Sequence, residues 1–274
     1  MKKWLISAIV YLLIVIGGYA AWMSISGEDA ASEQGEHSQQ HAATAADEHA
    51  HEGHDDPQQQ VSEVKSTVEY KDGTLYIGLT DSANQPVNDL EINHEKLMHF
   101  IIVSEDLQQY YHVHPTKAGD GKFEVALPLQ EGTYKAFIDI KPKDLNYQVE
   151  PVVVQVGDAA EHHHETALTP ETQFTKTIAG KTLTMEPDSF KAGEPITLSF
   201  SFADGTVPEP YLGALGHVVI LDEHGETYVH VHPASQTDTK FETTFAKPGV
   251  YKIWAEFQFQ GKVIIYPFTV KVDS

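Results

Sequence analysis

The stretch HVVILDEHGETYVHVHP, residues 217–233, reads as a β-hairpin, and HFIIVSEDLQQYYHVHP, residues 99–115, reads as a second copy of it. Laid over one another without a gap, His99 falls on His217, Glu105 on Glu223, Tyr110 on Tyr228, and His112-Val113-His114-Pro115 on His230-Val231-His232-Pro233. The match continues through Asp120, Lys122, Phe123 and Glu124 against Asp238, Lys240, Phe241 and Glu242. After a one-residue gap, Gly132, Tyr134 and Lys135 fall on Gly249, Tyr251 and Lys252. A repeat of about 100 residues is a domain duplication rather than a solenoid.

Each copy has the pattern of an all-β domain. Short apolar or alternating runs, such as Thr74 to Leu79, Phe100 to Val103, Phe123 to Leu127, Tyr134 to Ile138 and Val152 to Val156, lie between Gly, Pro, Asn and Asp. The second copy repeats them from Lys181 to Val272, and no long stretch has a helical period. This spacing predicts two tandem immunoglobulin-like antiparallel β-sandwich domains, residues 62–158 and 173–274.

Strand geometry then places the histidines. With His224-Gly225 as a two-residue turn pairing Glu223 with Glu226, Leu221 lies opposite Tyr228, Val219 opposite His230 and His217 opposite His232. Side chains two residues apart share a face, so His217, His230 and His232 converge. The same count sets His99 opposite His114 with His112 diagonal to it, although the Asp106-Leu107 turn is poorer and a bulge there would shift the register. Three imidazoles on one face, with opposed Cβ atoms about 4.5–5.5 Å apart, suit the ~2.0–2.1 Å bonds of a His-ligated divalent metal. The candidate metal ligands are therefore His99, His112 and His114 in one domain and His217, His230 and His232 in the other. Asp120 and Asp238 are candidates for a fourth ligand or for an acceptor behind an imidazole, or are plain turn residues. His94, without a counterpart, and His224, in a turn, read as surface residues. Met98 points away from His99.

The rest of the chain sets the context. Lys2 and Lys3 precede an uncharged apolar run from Trp4 to Ser26, long enough to span a bilayer. Residues 1–27 are thus a transmembrane anchor or a cleaved signal peptide, and both place the domains outside the cytoplasm, at the cell membrane or secreted. Residues 28–61 form an acidic tether with five histidines and too little apolar surface to fold, read as a disordered metal-collecting tail or a plain spacer. Residues 159–172 form a linker containing His162, His163 and His164. Forty acidic against eighteen basic residues, a formal charge of −22, argue against nucleic acid as a partner and suit cations. With no cysteine, there is no disulfide and no thiolate ligand.

The repeated His, thirteen-residue step and His-Val-His-Pro, followed by Lys-Phe-Glu and Gly-x-Tyr-Lys, resembles bacterial extracytoplasmic YtkA-like domains associated with heavy-metal handling. The resemblance implies the sandwich fold and a metal association at the six histidines. Imidazole ligands without Cys favour Cu²⁺ or Zn²⁺ over Cu⁺. The function expected is metal buffering or delivery, with a metal transporter as a partner, rather than catalysis. The alternatives are a cell-envelope interaction module with structural histidines and a metal-dependent hydrolase built on three histidines.

Overall fold

The computed structural model describes residues 61–158 and 167–274, except 232, 234 and 236. The expected anchor, the tether, His162 to His164 and His232 lie outside the described residues. Among the described residues all regular structure is strand, and no helix is long and apolar enough to cross a membrane.

Nine strands make the first domain: β1 Val64–Lys71, β2 Thr74–Asp81, β3 Leu90–Glu91, β4 Met98–Ser104, β5 Tyr110–Val113, β6 Thr116–Gly119, β7 Lys122–Ala126, β8 Gly132–Pro142 and β9 Val152–Val156. One sheet has the order β1-β2-β7-β6; the other runs β3-β8-β4-β5, with β9 also on β8. Eight strands make the second domain: β10 Thr175–Ile178, β11 Lys181–Pro187, β12 Pro195–Phe202, β13 His217–Asp222, β14 Tyr228–Val231, β15 Lys240–Thr244, β16 Gly249–Phe259 and β17 Lys262–Val272. Its sheets are β10-β11-β12-β15 and β14-β13-β16-β17. The long β17 covers the whole edge of β16, an edge that β3 and β9 share on β8.

Alternation builds each sandwich. In β2, Leu75, Ile77 and Leu79 point inward, and in β12, Ile196, Leu198 and Phe200 do, while the residues between them face outward. Tyr134 and Tyr251 each donate their hydroxyl to a carbonyl four residues upstream, at Gln130 and Lys247. These are equivalent corner contacts of the kind that ties immunoglobulin-like sandwiches.

Strands β4 and β13 break the alternation, since all seven residues of β4 and five of six in β13 are buried. A strand covered on both faces needs a second partner beyond its own sandwich. Phe100 and Ile102 belong to the first core, and Val218 and Ile220 to the second. Their neighbours Ile101, Val103, Val219 and Leu221 join Leu107, Phe137 and Trp254 in a third apolar cluster, formed where the two domains face each other. With each fully buried side chain worth about 1.5–3 kcal/mol, this cluster gives the two domains a substantial reason to dock.

Candidate metal centre between the domains

The hairpins keep the register counted from the sequence. Ile101 pairs with His112 and Val103 with Tyr110; Val219 pairs with His230 and Leu221 with Tyr228. The Asp106-Leu107 turn absorbs its poor chemistry without a slip, because Leu107 takes a φ of 55° and the Ser104 carbonyl accepts its amide. The tip of the second hairpin differs from expectation. Glu223 donates its amide to the Val250 carbonyl rather than pairing with Glu226, and the Asp222 carboxylate caps a wider loop at the Glu226 amide.

Docking of the domains is reciprocal. Tyr110 stacks on Trp254 with centroids 4.7 Å apart, and Tyr228 stacks on Phe137 at 5.1 Å. Tyr110 donates its hydroxyl to Glu256 at 2.5 Å, and Tyr228 donates to Asp139 at 3.2 Å. His112 Nδ1 lies 3.0 Å from Glu256 Oε2, and His230 Nδ1 lies 2.8 Å from Asp139 Oδ2. Each pair and its mate occupy equivalent positions of the repeat, so one surface patch meets its own copy.

The first domain's three histidines cluster as expected, and docking sets histidines of the second domain beside them. His99, His112 and His114 have ring centroids 4.9–5.2 Å apart, and His230 of the second domain stands 5.2 Å from His99 and 5.7 Å from His112. His217 is 5.7 Å from His230 and 6.3 Å from both His99 and His112. Five of the six expected ligands therefore form one interdomain nest, and the sixth, His232, lies outside the described residues.

Acceptors at the back of the rings decide where the protons sit. The Asn93 carbonyl accepts from His99 Nε2 at 3.0 Å, and Glu256 accepts from His112 Nδ1, so when both rings are neutral the lone pairs of His99 Nδ1 and His112 Nε2 face each other. Those two nitrogens are 2.9 Å apart, and His114 Nε2 is 3.2 Å from His99 Nδ1. The ligating nitrogens of His99, His112 and His114 lie within 4.8 Å of one another, a triad that can hold a metal ion. Nitrogens bound to one tetrahedral ion at ~2.0–2.1 Å stand roughly 3.3 Å apart, close to these separations.

Electrostatics disfavours a proton on His99 and on His114. Burial, then the neighbouring His112 and His230, push His99 down to about 2; burial and His112 push His114 down to about 3. Burial also takes His217 to about 4. Glu256 is fully enclosed, which opposes its charge, yet His112 and Tyr110 outweigh burial and hold the carboxyl below its usual range. Asp139 behaves alike, with burial overcome by His230. His114 also borders a surface depression of about 360 Å³ lined by Thr74, Tyr76, Thr116 and Glu124.

Other residues sort differently from the sequence reading. His94, expected at the surface, sits in a tight turn with φ 46° and brings its ring to 6.1 Å from both His99 and His230. Asp120 is exposed in a turn and Asp238 caps the Thr239 amide, so neither joins the described nest. Met98 is buried in the first sandwich core, on the face away from His99, as expected. Sequence reasoning missed Asp139 and Glu256. Their signal was present: each is an acidic residue five positions after the matched Tyr134 or Tyr251, flanked by apolar residues, Ile138 and Ile140 or Ala255 and Phe257.

Comparisons with known proteins reach the family and little further. No curated protein matches the chain. Among solved structures, an Escherichia coli adhesin, FdeC, is 13% identical over 78% of this chain and 65% of its own, with a TM-score of 0.23. This chain thus spans less than two thirds of that structure. The BSP domain of a biofilm-associated protein is 14% identical over 77% and 30%, with a TM-score of 0.22. The FN1–FN3 domains of chicken CNTN1 are 10% identical over 77% and 66%, also at 0.22. Likeness at this level carries nothing about function. A domain family of unknown function, DUF8832, matches in two segments, residues 49–158 and 176–274, which follow the duplication. The chain belongs to the DUF8832 family.

Proposed function

We propose that this protein is an extracytoplasmic, membrane-tethered metal-binding protein that holds Cu²⁺ or Zn²⁺ on His99, His112 and His114, buffering the ion or passing it to a transporter. One observation carries the reading: two buried imidazole nitrogens, each in a ring whose other nitrogen faces an acceptor, lie 2.9 Å apart, with a third imidazole nitrogen 3.2 Å from one of them. With both rings neutral, lone pairs at that distance repel, and a divalent ion bound by both nitrogens removes the repulsion. All-imidazole ligation favours Cu²⁺ by raw affinity and Zn²⁺ by geometry. Binding rather than catalysis fits the spent carboxylates: Glu256 and Asp139 each already accept from a histidine and a tyrosine. Kinship with the YtkA-like metal-associated domains is part of this reading.

A second reading has its own observation. The reciprocal His112–Glu256 and His230–Asp139 contacts brace the domains without any metal, which suits a cell-envelope interaction module with structural histidines. Copper retention in the full chain, measured against a weak competing chelator, separates the two. Metal binding predicts that His112→Ala with His114→Ala removes the ion held by the triad while the tether's weak sites persist. Equal retention in wild type and variant rejects it.

A further inference from the structure

The donor arrangement around His99 and His112 recurs in the second domain. The Tyr211 carbonyl accepts from His217 Nε2 at 2.9 Å, as Asn93 does from His99, and Asp139 accepts from His230 Nδ1, as Glu256 does from His112. Asn93 and Tyr211 each close a two-residue turn of left-handed residues, His94-Glu95 and Leu212-Gly213, so the two carbonyls are set by the same local device. These acceptors leave the lone pairs on His217 Nδ1 and His230 Nε2. His217 is fully buried, and its Nδ1 has no hydrogen-bond partner. A buried imidazole nitrogen without a partner is costly in a protein that binds nothing there.

We propose that the nest holds two divalent cations, the second ligated by His217 Nδ1 and His230 Nε2 beside the first on His99, His112 and His114. The inference rests on the reading above, that the first position binds metal. The His99 and His230 rings are 5.2 Å apart, so the two ions lie close enough to interact magnetically. Each ion has ligands oriented by the opposite domain: Glu256 positions His112, and Asp139 positions His230. A metal-loaded pair therefore forms only when the domains are docked.

The test is copper loading of the full chain, with weakly held ions removed by a glycine wash, followed by a copper count and electron paramagnetic resonance. Wild type should retain two more Cu²⁺ than the His112→Ala/His217→Ala double variant and should show the half-field line of a closely spaced pair. His217→Ala should keep one of those ions and lose the line. Asp139→Asn preserves the shape of the site and should weaken the second ion 10–100-fold, so the outcome does not depend on His217→Ala folding. A single uncoupled copper that depends on His112 and is indifferent to His217 and Asp139 overturns the second position and leaves the first standing. Retention indifferent to all three residues overturns both.

Discussion

At the scale of single residues, the nest depends as much on what lies behind the imidazoles as on the imidazoles themselves. Glu256 accepts from His112 and Tyr110 and is 1% exposed, so its loss frees the ring to turn and leaves a buried hydroxyl unpaired. Glu256→Gln should lower metal affinity by roughly 10–100-fold, read by competition with a chelator of known affinity. The same residues give the metal-free protein a pH dependence of definite sign. His99, His114 and His217 are held at about 2, 3 and 4, against an ordinary value of 6.5. The unfolded chain therefore takes up protons that the folded chain refuses, and stability falls as pH drops from about 6.5 towards 4. Each group contributes up to about 1.4 kcal/mol per pH unit in that window. Denaturant melts of chelator-treated protein at pH steps across this range check it; a flat profile contradicts the burial of neutral imidazoles.

At the scale of elements, β4 and β13 carry the molecule because each serves two cores. Their register was legible: a period of two and a turn count placed Ile101 against His112 and Val219 against His230, and the pairing follows that count. Docking was less legible, although the unbroken apolar runs of these strands, without alternation, pointed to cover on both faces. Ahead of β13, Gly216 replaces Met98 of the first copy for a steric reason. A Cβ at Gly216 would meet the Phe257 ring at 2.6 Å and the Glu256 carbonyl oxygen at 2.8 Å. Gly216→Ala should cost about 1–3 kcal/mol by overpacking and, by moving the Glu256 backbone, should also weaken metal retention. Thermal melts and a metal count on the same sample test both parts; an unaffected protein would mean that Phe257 and β16 yield easily.

At the scale of the whole molecule, a metal that binds only the docked form stabilises that form. At a free concentration a hundred times the dissociation constant the gain is about 2.7 kcal/mol. For a unit of this size that is on the order of 5–10 °C in melting temperature. Cu²⁺ or Zn²⁺ should raise the melting temperature of wild type by this amount, and should not raise that of the His112→Ala/His217→Ala variant, which lacks a ligand of each ion. By itself the sequence determined the duplication, the all-β class, the hairpin register and, in the first domain, which histidines share a face. These follow from local rules, the strand period and the turn, that act over a few residues. Only the tertiary structure decided that the two histidine faces meet. It likewise chose Asp139 and Glu256, rather than Asp120 and Asp238, to stand behind the rings, and drew His94 into the nest. Those facts depend on how two remote apolar faces pack, Ile101, Val103 and Phe137 against Val219, Leu221 and Trp254, and no local period encodes which partner a buried face will find.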